Sequence, residues 1–69
     1  MAIERNVWHE VEETKRTYFY KGGRKITVLN VEAFKVSEHG RHYLLKKNGQ
    51  YLIMQKGWLA IKIDGELVD

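Results

Sequence analysis

The dipeptide Asn48-Gly49, set between two apolar-rich runs, does most to limit what this chain can form. Both residues tolerate positive φ, so the pair is the strongest short-range signal for two antiparallel strands joined by a tight turn. A two-residue loop there sets Leu45 opposite Leu52 and Tyr43 opposite Met54. A second two-residue loop at Lys56-Gly57 sets Met54 opposite Leu59 and Leu52 opposite Ile61. The two registers agree, and they gather Tyr43, Leu45, Leu52, Met54, Leu59, Ile61 and Ile63 on the buried face of a three-stranded meander. Asp64-Gly65 then turns the chain into a short last strand, Glu66 to Val68.

The N-terminal half carries its own hairpin signal, Gly22-Gly23, between two further alternating runs. A two-residue loop pairs Phe19 with Ile26 and Thr17 with Val28 inside, and leaves Arg16, Tyr18, Tyr20, Lys25 and Thr27 outside. Val7 to Val11 alternates as an edge strand does. Residues 30–37 have two readings: Val31 and Phe34 are spaced for a helix, whereas Phe34 and Val36 alternate as in a strand. A strand with a bulge or bend near Asn30 is the favoured one. About six short strands joined by glycine-containing turns predict a mainly β fold, a small antiparallel meander closing as a barrel or sandwich. An SH3-like or OB-like roll fits, and a short helix near 30–37 is the alternative.

Sixty-nine residues hold one core, so residues 1–69 are read as a single small domain. A hydrophobic content of 43% with 30% charge excludes a disordered tail. With no cysteine, disulfide staples and Cys-based zinc sites are excluded. The longest apolar runs, Tyr51 to Met54 among them, are far shorter than the roughly 20 residues of a membrane-spanning helix. No apolar segment follows a basic start as in a secretory signal, so the default expectation is a cytoplasmic protein, the host cytoplasm if the chain is phage-encoded.

Charge is segregated along the chain. The net value is +3, but residues 15–25 carry five basic side chains and no acid, and residues 41–62 carry five more and no acid. The acidic residues lie in 1–14, 26–40 and 63–69. Such blocks steer anionic partners.

Signs of catalytic chemistry are weak. His39 and His42 flank Gly40-Arg41, but Arg41 repels a cation and no third ligand of suitable type is near, so no metal is expected. His9 with Glu10, Glu12 and Glu13 reads as a solvated acidic edge. The one serine, Ser37, has no nucleophile elbow around it, and Lys21-Gly22-Gly23-Arg24 reads as a hairpin tip rather than a phosphate-cradling loop. The expectation is a protein that is not an enzyme and needs no cofactor.

Two surfaces are left as candidates. Arg16, Tyr18, Tyr20 and Lys25 interleave cations with rings, the pattern that holds single-stranded nucleic acid by its phosphates and stacked bases. Nucleic-acid binding through this basic-aromatic hairpin face is the leading expectation. The other candidate is the second face of the meander, where Leu44, Ile53 and Ala60 make an apolar centre with Tyr51 and Trp58 beside it and Lys46 and Lys62 around it. It suits a protein partner or a homodimer. The stretch from Val36 to Ile63, with His39-Gly40-Arg41-His42-Tyr43-Leu44, the Asn48-Gly49 turn and Gly57-Trp58-Leu59-Ala60-Ile61-Lys62-Ile63, resembles small phage- and prophage-encoded proteins. The resemblance implies an accessory protein that acts by binding a host or phage macromolecule, and it assigns no site residue.

Overall fold

Both main hairpins close through three residues rather than two. In the computed structural model, which describes residues 5–68, strand β1 (His9–Phe19) and strand β2 (Lys25–Val36) are joined through Lys21-Gly22-Gly23, with the Tyr20 amide donating to the Arg24 carbonyl. Strands β3 (His42–Lys46) and β4 (Tyr51–Met54) are joined through Lys47-Asn48-Gly49, with the Lys46 amide donating to the Gln50 carbonyl. Gly49 sits at φ 88° and the Gly49 amide donates to the Lys46 carbonyl, as in the three-residue hairpin whose last loop residue is left-handed. Side chains alternate with period two, so one extra loop residue changes which residues share a face.

The consequences run through both hairpins. Tyr18 faces Ile26 and Arg16 faces Val28, correcting the expected Phe19–Ile26 and Thr17–Val28 pairs. Leu44 faces Leu52 and His42 faces Met54, correcting Leu45–Leu52 and Tyr43–Met54. Strand β5 (Ala60–Ile63) does not pair with β4, as the meander requires; it pairs antiparallel with β1, setting Tyr18 opposite Ile61. The Asp64-Gly65 turn into β6 (Glu66–Val68) is where the sequence places it, with both residues at positive φ.

The result is one open, six-stranded antiparallel sheet in the order β4-β3-β2-β1-β5-β6. Residues 30–37 hold no helix: β2 runs to Val36, and Asn30 takes a left-handed φ of 56° beside a register shift between Val31 and Ala33. This is the bend that the alternation of Phe34 and Val36 suggests. Of the segment Val7–Val11, expected as an edge strand, His9 to Val11 begin β1 and Val7 and Trp8 precede it; β1 lies inside the sheet and carries a bulge between Glu10 and Glu13.

Because a single flat sheet cannot enclose a core, the sheet coils; the smallest extent of the backbone is 21 Å, about twice the face-to-face thickness of two packed sheets. On its concave side lie Tyr18, Tyr20, Val28, Val31, Leu44, Met54 and Ile61, with Phe34, Leu52, Trp58 and Ile63 packed against them. Of the residues expected inside, Val28, Leu52, Met54, Ile61 and Ile63 are there; Ile26 shares that side but is exposed, and Thr17 is buried on the convex side. Tyr43, Leu45 and Phe19 lie on the convex side, and Leu59 is exposed.

Candidate functional site

Strand β1 sends alternate residues to opposite sides, and the side matters. Arg16, Tyr18 and Tyr20, expected on an exposed face, are 3%, 0% and 8% exposed. The three-residue loop is the reason, since it turns this set towards Val28 and Ile61. The Arg16 guanidinium donates through Nε to Glu13 Oε1 at 2.7 Å and through Nη2 to Glu13 Oε2 at 2.9 Å, a two-pronged pair. Its Nη1 donates to the Tyr18 hydroxyl at 2.7 Å, and its Cζ lies 4.8 Å from the Phe34 ring centre. Glu13, expected on a solvated edge, is itself buried. The β1–β2 ladder is irregular at Asn30, and there the two residues three apart come to the same side.

His42 completes the cluster. Its Nδ1 lies 2.7 Å from the Tyr18 oxygen. Since that oxygen already accepts from Arg16, the hydroxyl proton is directed at Nδ1, which makes Nδ1 the acceptor. Burial, reinforced by the Arg16 charge, pushes the His42 pKa down to about 4. Burial pushes the Tyr18 hydroxyl up to about 12 against the opposing pull of Arg16. For Arg16, burial works against the charge, yet the bonds to Glu13 and Tyr18 leave its pKa raised. Trp58 closes the group from outside, with its ring 4.5 Å from His42 and 5.1 Å from Tyr18. No buried side-chain nitrogen or oxygen among the described residues lacks a partner. This is a satisfied structural network.

The other alternate set of β1 lies on the opposite side of the sheet, where Lys15 is exposed, Phe19 is half-buried and Thr17 is buried under its neighbours. Lys15, Thr17 and Phe19 lie beside Leu29, Thr27 and Lys25 of β2, and Thr17 lies beside Lys62 of β5. Together Lys15, Lys25 and Lys62 rim a hollow of about 210 Å³, lined also by Thr17, Phe19, Thr27 and Gly65. The Thr17 and Thr27 hydroxyls, 3.3 Å apart, form its floor. No carboxylate among the described residues lines it. Of the four residues expected to bind nucleic acid, Lys25 alone stands on this surface.

The apolar face expected around Trp58 divides in the same manner. Leu44 is fully buried and Trp58 is half-buried against His42 and Tyr18, while Tyr51 and Ile53 are exposed at 49% and 52%. The two exposed residues join a different group on the convex side. Trp8 and Tyr43 each lie 6.0 Å from the Tyr51 ring, and the Lys35 ammonium sits 5.0 Å from Trp8 and 5.1 Å from Tyr43. An open groove of about 860 Å³ runs from Trp8 past Glu10, Glu12, Glu32, Leu45 and Lys47. Its three carboxylates oppose a polyanion there.

Among the described residues no three His, Asp or Glu side chains cluster as metal ligands, and no helix is long and apolar enough to cross a membrane. Comparison with protein-family models, curated proteins and solved structures finds no match.

Proposed function

We propose that the protein is a non-enzymatic binding module that holds nucleic acid by its phosphates at the Lys15–Lys25–Lys62 corner. The observation that carries this reading is the convergence of three lysines from three strands on one hollow lined by hydroxyl donors and, among the described residues, no carboxylate. Each lysine is a point charge that releases a counterion from a phosphate it neutralises, and threonine hydroxyls donate to phosphate oxygens. With Tyr18 and Tyr20 inside the core, stacking contributes little and binding is blind to base identity.

The test is a titration with a single-stranded oligothymidylate and its RNA counterpart at low salt, repeated as salt is raised. Three phosphate contacts on a single strand give a slope of log affinity against log salt of about −2, and each of Lys15→Gln, Lys25→Gln and Lys62→Gln reduces it by about 0.7. Absence of binding at low salt, or a slope indifferent to all three changes, removes the reading.

A second reading rests on the exposed rings of Trp8 and Tyr51 beside Ile53. Aromatic and aliphatic side chains gathered on a sheet face suit an accessory module that docks on another protein. That reading predicts binding of a hydrophobic dye to the native protein, lost in Trp8→Ala and Tyr51→Ala at unchanged melting temperature. Dye binding unaffected by either change removes it.

A further inference from the structure

The open sheet has two free edges, and they differ in charge. Among the described residues β4 pairs only with β3, and β6 only with β5. In β4, Gln50 is hydrogen-bonded to Lys46, so by antiparallel alternation the amides and carbonyls of Tyr51 and Ile53 point away from β3. In β6, the two-residue turn makes Ile63–Glu66 the hydrogen-bonded pair, so the amide and carbonyl of Leu67 point away from β5. The residues with outward backbone groups also have exposed side chains: Tyr51 49%, Ile53 52% and Leu67 70%. All three project on the convex side, Tyr51 and Ile53 with Tyr43, and Leu67 with Lys62.

We propose that β6 of one copy of this chain adds to β4 of the next, joining copies head to tail into a continuous sheet. Three observations select this occupant. Strand direction is compatible: β4 and β5 both run opposite to β1, so β6 meets β4 antiparallel without turning the sheet over. Side-chain faces are compatible: setting Leu67 opposite Ile53 also sets Val68 opposite Leu52, apolar against apolar on both sides. Charge is complementary: the contact joins the edge that carries Glu66, in the acidic 63–69 segment, to the edge flanked by Lys47 and Lys56, in the 41–62 segment that contains no carboxylate. Pairing β4 with β4 instead sets the basic segment against itself. The contact is heterologous, so copies close into a ring if the rotation allows and otherwise extend.

The ladder is short, which places association in the weak class, with dissociation constants on the order of 100 µM to 1 mM. Sedimentation equilibrium of the full chain is expected to show a mass rising above the 8.2 kDa protomer over that range. Ile53→Lys caps one edge and Leu67→Lys the other, and both positions are exposed enough to leave the fold intact. Each variant alone is expected to stay monomeric. Mixed, they are expected to form a one-to-one dimer, because each retains the edge the other has lost. Wild-type protein that is monomeric throughout overturns the proposal. So does self-association of Leu67→Lys alone, which is the signature of β4–β4 pairing, or a mixture that remains monomeric.

Discussion

Two sets of residues alternate along the same stretch of β1 and do opposite work. Arg16, Tyr18 and Tyr20 close the core, while Lys15, Thr17 and Phe19 build the convex corner with Lys25 and Lys62. Each set contains a cation and at least one ring, so composition does not distinguish them. What distinguishes them is what each cation meets. Arg16 has a forked carboxylate, a hydroxyl and an aromatic face in reach, and each of its three side-chain nitrogens has a hydrogen-bond partner. The lysines have hydroxyls and solvent, and remain available to a partner.

The largest expected effect separates the two sets by stability. Glu13→Ala leaves the Arg16 charge buried without its partner and costs about 3–5 kcal/mol, enough to unfold much of a domain this small. Urea denaturation reads it, and Glu13→Leu combined with Arg16→Met is expected to recover most of the loss, because an apolar pair needs no compensation. A Glu13→Ala protein as stable as wild type breaks the distinction. Next in size is Tyr18→Phe, which removes the acceptor of Arg16 Nη1 and the donor to His42 Nδ1 and costs about 1–3 kcal/mol in the same measurement.

The pH dependence of stability is smaller. His42 titrates at about 4 in the folded protein against an ordinary 6.5, so between those values the unfolded chain binds a proton that the folded chain does not. Stability therefore falls as pH drops from about 6.5 towards 4, and this contribution levels off below. The slope is at most about 1.4 kcal/mol per pH unit and is lessened by the partial exposure of the ring. Comparison with His42→Gln separates it from the titration of carboxylates. Smallest of all, Lys25→Gln is expected to change stability by less than about 0.5 kcal/mol, which a melting curve checks.

Much of the fold is legible in the sequence. The glycine turns, the bend at Asn30 and the inward Ile61 and Ile63 follow from local chemistry and alternation. Register does not. Asn48-Gly49 serves a three-residue loop with Gly49 left-handed as readily as a two-residue turn, and the two differ by the one residue that exchanges faces. Agreement between the two expected meander registers does not test either one: the Asn48-Gly49 hairpin is shifted by one residue and the Lys56-Gly57 hairpin does not form, since β5 pairs with β1. The Thr17–Thr27 pair is a signal that favours the observed register, since threonines directly opposite one another are a stabilising cross-strand pair. The Lys15–Lys25–Lys62 corner was hidden because Lys62 reaches it through β5 pairing with β1, a contact between segments about forty residues apart that no local pattern encodes.

The register of the first hairpin decides which set of β1 packs into the core, and it is measured directly by cross-strand α-proton contacts in an NMR spectrum recorded in heavy water. With Tyr20 and Arg24 a hydrogen-bonded pair, Thr17–Thr27 and Phe19–Lys25 are non-hydrogen-bonded pairs, whose α-carbons approach to about 4.5 Å. Strong α-proton contacts are expected between Thr17 and Thr27 and between Phe19 and Lys25. Strong contacts instead between Tyr18 and Thr27 and between Tyr20 and Lys25 are the mark of a two-residue Gly22-Gly23 turn; they return Tyr18 and Tyr20 to the surface and contradict the assignment of Arg16 to the core and of the lysine corner to the site.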